Sequence, residues 1–194
     1  MSVTHLQIIT APNELPLTLA QAKSQVRVTH SFEDAHIQDL IVAATRWAED
    51  QTDRVVMQTV VTWSFHIFPP RGFVLPGGKV TAVEKIDYID ADGNPQTLTG
   101  PTSETTGTDY QEDLTDDEAA WLYPAAEMLW PGTDFDVLNA VTVRYTVGFG
   151  TNPEDVPETI RQAIRFQLAN MYNNPEGSDS EAADNLIHPY VLQS

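Results

Sequence analysis

The side chains best suited to chemistry here are five histidines, at positions 5, 30, 36, 66 and 188, and a set of clustered carboxylates. Imidazole and carboxylate together could bind a divalent cation or shuttle protons. Their spacing suits neither task. His30 and His36 are six residues apart and do not share a helical face; His36 and Asp39 could, but two donors do not close a metal site. His66 alternates with Trp63 and Phe65 and is read as facing solvent. In Asp90-Ala91-Asp92-Gly93-Asn94 a calcium loop would need glycine sixth and glutamate twelfth, but glycine is fourth and Pro101 is twelfth. Asp-Gly between alternating runs reads instead as a hairpin turn. Asp109, Glu112, Asp113, Asp116, Asp117 and Glu118 form the densest acidic stretch and read as a solvated loop rather than a cation site. Gly148-Phe149-Gly150 lacks the third glycine or the lysine of a phosphate cradle. There is no Gly-x-Ser-x-Gly elbow, and the absence of cysteine removes thiolate chemistry and disulfides. The expectation is a protein with no catalytic residue, no metal and no cofactor, and not an enzyme.

The elements that position these residues fall into three blocks. Residues 1–16 are a loosely patterned leader. Thr18 with Gln21 makes a capping box, and Leu19, Ala22 and Val26 an inward stripe, so a helix is expected over 18–29. Ser31 is positioned to cap a second helix over 31–53, whose apolar face is Ile37, Leu40, Ile41, Ala44, Trp47 and Ala48. Alternation then takes over. Thr59 to Ile67, Val83 to Ile89 with Gln96 to Leu98 across the Asp-Gly turn, a short piece at Tyr110, Trp121 to Tyr123, and Val141 to Val147 as the closing strand all read as β. Gly148 and Gly150 allow a sharp exit into a helix opened by Pro157, striped by Ile160, Ala163, Ile164, Leu168 and Met171, and ended by Asn173-Asn174-Pro175. A short helix over 180–187 precedes Pro189. The class is α+β: a helical scaffold of two N-terminal helices and one long C-terminal helix, with an inserted antiparallel β section.

The charge balance narrows the partners. Ten Lys+Arg against 28 Asp+Glu give a net charge of -18 over 194 residues. Such a chain is not a conventional duplex binder, because neutralising phosphates takes clustered cations. Solubility is the plain reading of the charge. No run approaches the roughly 20 apolar residues of a membrane span, and the N-terminus lacks the basic-then-apolar pattern of a signal peptide. Two apolar groups stand out. Trp121, Tyr123 and Trp130 lie beside loops and could be core or partner surface. Leu186, Ile187, Tyr190, Val191 and Leu192, after a polar linker, either fold back on the core or dock on another protein.

Two stretches carry a family likeness. AVTVRYTVGFGTNPEDVPETIRQAIRFQLANMYNNPEG, from Ala140 to Gly177, is a strand, a glycine corner and a proline-started helix; LPLTLAQAKSQVRVTHSFEDAHIQDLIVAATRWAEDQTDRVV is a helix pair. In this order they resemble the head–tail connector (adaptor, head-completion) proteins of phages, over roughly half the chain. That resemblance implies one connector domain over 1–194, with a helix pair at 17–54, a β section at 55–150 containing an acidic loop at 100–118, and a C-terminal helix and apolar tail at 151–194. It implies a structural virion protein at the neck, made in the host bacterial cytoplasm, that forms a homo-oligomeric ring beneath the portal protein and joins it to a tail or neck protein. It turns Leu186, Ile187, Tyr190, Val191 and Leu192 toward portal docking. Asp109, Glu112, Asp113, Asp116, Asp117 and Glu118 would line a channel through which DNA passes unbound, with no membrane partner. Another neck or tail-completion protein, or an acidic enzyme or ligand-binding module, are the alternatives.

Overall fold

The computed structural model describes residues 6–101, 109–177 and 179–192, so part of the expected 100–118 loop, at 102–108, lies outside the described residues. The fold is α+β and divides into two compact units. One comprises 1–11 and 59–148, the other 12–58 and 149–194.

The first unit is built on strands. A five-stranded antiparallel sheet runs in the order β1 (Gln7–Thr10), β2 (Thr59–Phe65), β8 (Val141–Val147), β4 (Val80–Ile89) and β5 (Pro95–Leu98). A three-stranded sheet runs β3 (Phe73–Leu75), β7 (Ala120–Pro124), β6 (Tyr110–Asp113). Register follows the alternation: Trp63 lies opposite Val143, and Val143 opposite Ile86, all on one buried face. Trp63 and Phe65 meet Phe73 of the smaller sheet, with ring centroids 6.0 and 5.2 Å apart. Tyr145 is buried on the same strand face as Val143 and donates its hydroxyl to the Pro76 carbonyl at 2.8 Å. That bond satisfies a phenol whose ionisation desolvation strongly opposes.

Three expectations change here. Val141–Val147 is the central strand, not the closing one, because it pairs β2 on one side and β4 on the other. Leader residues 7–10 form an edge strand that sequence patterning misses, since Ile8 and Ile9 are both exposed where a bulge breaks the pairing with β2. Phe73–Leu75 is a strand rather than loop, held by its pairing with β7.

The second unit is helical. The capping box forms as the sequence predicts: Gln21 N–H donates to Thr18 Oγ1 (3.2 Å) and Thr18 N–H to Gln21 Oε1 (3.0 Å), opening α1 (Leu19–Val26). α2 spans Asp34–Thr52, and its cap is a correction. Glu33, not Ser31, is the N-cap, and it makes no side-chain cap bond; Ser31 instead accepts Asp34 N–H through its backbone carbonyl at 3.3 Å. α3 (Glu158–Asn173) and α4 (Glu181–Ile187) complete the unit. Gly148, with φ +122°, turns the chain out of β8, and a Cβ on Gly150 would sit 2.4 Å from the Asp155 side chain. Ile37, Ile41, Ala44, Ile160, Ile164 and Leu168 make the centre of the helical core.

Glu49 of α2 is largely buried. It accepts Val56 N–H at 3.1 Å, and desolvation pushes its carboxyl above the ordinary 4.5 despite that bond and the nearby Arg46. The folded chain therefore holds this proton more tightly than the unfolded one, and Glu49 makes stability fall as pH rises from about 4.5 through the raised value. Glu49→Gln should gain stability relative to wild type at pH 7 and lose that gain at pH 4. Urea midpoints of the two proteins across this range measure it, and a pH-independent difference would contradict it.

Candidate functional site

No three His, Asp or Glu side chains among the described residues gather as a metal group, and three of the histidines meet separate partners. His66 Nδ1 bonds the Val137 carbonyl at 3.0 Å, His30 lies 3.8 Å from Glu33, and His36 faces the Tyr172 ring; His5 lies outside the described residues. The Asp90 turn is closed on itself. Its Oδ1 accepts Asp92 and Asn94 N–H at 3.0 and 2.9 Å, which holds the carboxyl below its usual range. Behind Gly150, Asp155 Oδ2 accepts Asn152 N–H at 2.9 Å, so the chain's own carboxylate occupies the donor that an anion would seek.

The six candidate lining acids lie on and beside β6 and in its connection to β7, in different environments. Asp109 accepts Thr99 N–H at 2.6 Å, and Glu112 points with Leu122 into the small sheet's inner face, where desolvation raises its carboxyl. Asp113 accepts both the N–H and the hydroxyl of Thr115, at 3.2 and 2.6 Å, and is held low by them. Asp116 accepts Glu118 N–H at 2.8 Å, and Asp117 lies 3.1 Å from Lys79. Asp113 and Asp116 to Glu118 are exposed; Asp109 and Glu112 are half-buried.

The five candidate docking residues divide by exposure. Ile187 is buried in the helical core, and Leu186 and Tyr190 pack against that core. Val191 is 41% exposed and Leu192 half-buried. Buried Arg54 holds the segment, donating from Nε to the Tyr190 carbonyl at 2.6 Å, and Leu192 N–H donates to the Thr52 carbonyl at 3.0 Å. At the other end Gln167, buried within the apolar stripe of α3, donates to Asp179 Oδ1 (2.7 Å) and accepts Ser180 N–H (2.9 Å). A polar residue placed in a helix's apolar stripe was the available sequence signal for this clasp, and the stripe reading passed over it.

On the β unit, sequence reasoning named Trp121, Tyr123 and Trp130 as core or partner surface and missed the exposed residues around them. The 125–139 connection carries exposed Met128, Leu129, Phe135 and Leu138. Trp130 anchors it, stacked on Phe68 at 4.9 Å and donating Nε1–H to the Arg71 carbonyl at 2.7 Å. Nearby, Trp121 and Tyr123 stack on each other in the open, with centroids 5.6 Å apart. Met128, Leu129, Phe135 and Leu138 have no periodicity to betray them.

No protein family and no curated protein matches this sequence. Solved structures do. A chain of a structure described as "Neck of empty GTA particle computed with C6 symmetry" is 18% identical and superposes with a TM-score of 0.80 over 97% of this chain and 96% of its own. A chain from "Virion of native gene transfer agent (GTA) particle" gives 0.77 at 19% identity, and one from "Neck of native GTA particle computed with C12 symmetry" gives 0.76 at 17%, each over the same shares. At these identities the likeness establishes the fold, across both units.

Arg54→Met should cost about 2 kcal/mol, because it leaves the Tyr190 carbonyl without its charged donor. Hydrogen exchange at Leu192 should accelerate with it. Unchanged exchange would mean that Arg54 does not hold the tail.

Proposed function

We propose that this chain is a structural protein of a phage-like head–tail neck, an adaptor that assembles as a ring beneath a portal, joins it to the tail side and lets the genome pass. The observation that carries this reading is the whole-chain fold likeness to chains of gene transfer agent neck and virion structures, spanning 97% of this chain. The strand–corner–helix segment over 140–177 and the N-terminal helix pair support it from the sequence side. The neck structures were computed with C6 and C12 symmetry, which is the arrangement a ring of identical subunits requires.

Within this reading, portal docking falls to the exposed end of the tail, Val191 with Leu192 and the rim of Tyr190, while Ile187 and Leu186 keep the segment seated in the helical core. The role of the exposed acids Asp113, Asp116, Asp117 and Glu118 is repulsion. A wall of carboxylates gives phosphates no counter-charge, so DNA slides without being held. Turnover has no part in this function.

Mixing the chain with the portal protein of the same particle, followed by negative-stain imaging, tests the adaptor role. Rings stacked on the portal are expected, and Val191→Asp with Leu192→Asp should abolish stacking while leaving the fold intact by circular dichroism. A chain that binds a tail-side protein but never the portal would place it elsewhere in the neck. Replacing Asp113, Asp116 and Glu118 by Lys should leave stacking intact and make the assembly retain duplex DNA at low salt. Failure to retain DNA would remove the lining role.

A further inference from the structure

We infer that the β unit carries both halves of a contact between copies of this chain: a knob at Asp134-Phe135-Asp136 and a groove beside Arg71. The inference rests on the ring reading above and names the surfaces that would make the ring.

The groove is a cavity of about 410 Å³ between Pro70–Gly72 and the stretch from Tyr123 to Leu129. Its walls are mostly apolar: Pro70, the Tyr123 ring, Pro124 and Met128, with Leu129, 82% exposed, at the lip; Gln111 and Glu127 are its polar members beside Arg71. Arg71 supplies its cation. Of the chain's ten Lys and Arg side chains, eight meet a hydrogen-bond or ion-pair partner; among the described residues, the side chains of Arg27 and Arg71 do not. In a chain with 28 carboxylates, an arginine left over beside an apolar groove selects an occupant that is both apolar and acidic.

The knob has that composition. Phe135 is 74% exposed between Asp134 and Asp136, and no cation among the described residues meets either acid. It is also presented rigidly. Thr133 is buried and bridges to Asp90, Asp134 N–H donates to the Ile89 carbonyl at 3.1 Å, Asp136 N–H to Asp134 Oδ1 at 2.9 Å, and His66 holds the Val137 carbonyl. A preorganised aromatic anchor loses little entropy on docking. Connections of this length without secondary structure are uncommon unless they serve a function. The occupant is a second copy, since the one exposed aromatic knob between carboxylates that no cation meets and the one groove whose arginine side chain has no partner, among the described residues, belong to the same chain. The knob of one copy seated in the groove of the next makes a head-to-tail contact, the kind that rotation closes into a ring.

The absence of native cysteine makes a thiol cross-linking test direct. Chains carrying Ala126→Cys in the groove wall and chains carrying Leu138→Cys beside the knob, distinguished by tags, are mixed at physiological ionic strength and treated with a short bismaleimide. Mixed dimers are expected to outnumber both homodimers. Phe135→Ser in the knob chain should reduce the mixed product about tenfold, as should Arg71→Glu in the groove chain. Asp134→Arg with Asp136→Arg in the knob chain should restore the product lost to Arg71→Glu. No cross-link, homodimers as abundant as mixed dimers, or a yield indifferent to Phe135 and Arg71 would overturn the contact. Rings on the portal without this cross-link would sink the contact and keep the adaptor reading; the cross-link without rings would do the reverse.

Discussion

The pairing of Val141–Val147 with two strands at once is the constraint on which the rest of the β unit depends. Its register with Thr59–Phe65 puts Val61, Trp63 and Phe65 on the face of Tyr145, Val143 and Val141. Its register with Val80–Ile89 puts Val80 and Ile86 there as well. Only with this strand in the centre do the three middle strands share one buried face, and only then does Tyr145 reach the Pro76 carbonyl. Removing the strand would leave two ladders, each too narrow to stand alone. The same strand runs through Gly148 directly into the corner that starts α3, so one local segment serves the sheet on one side and the helical core on the other.

What the sequence made legible was local. The Thr18–Gln21 box, the stripes of α1, α2 and α3, the Asp-Gly hairpin and the alternation of β2 and β8 depend on neighbours a few residues apart, and each forms. What stayed hidden depends on distant partners. Ile8 and Ile9 look like an unpatterned leader because a bulge turns the edge strand out of alternation. Phe73–Leu75 is too short to show a period and is a strand only because Ala120–Leu122 lies beside it. The central place of β8 is set by partners roughly fifty to ninety residues upstream, which no periodicity encodes.

The candidate surfaces divide the same way. The apolar tail was visible as five large side chains, but what holds it is Arg54, a polar residue far from it in sequence, while Gln167 ties down the Asp179-Ser180 stretch before it. The acids of 109–118 were visible as a charge run. Their environments differ because Glu112 faces inward beside Leu122 while Asp113, on the next residue, faces out. Strong net charge and a few exposed aromatics fit one physical logic. In the proposed ring, repulsion would keep free subunits apart and leave DNA unbound, and the limited apolar contacts would act only where geometry brings complementary surfaces together.

The central claim is the place of this chain in a particle, and a cryo-EM reconstruction of the neck of purified particles tests it most directly. The account predicts a ring of density between portal and tail into which the helical unit and the β unit both fit. A neck fully explained by other proteins, with this chain absent from the purified particles, would contradict it.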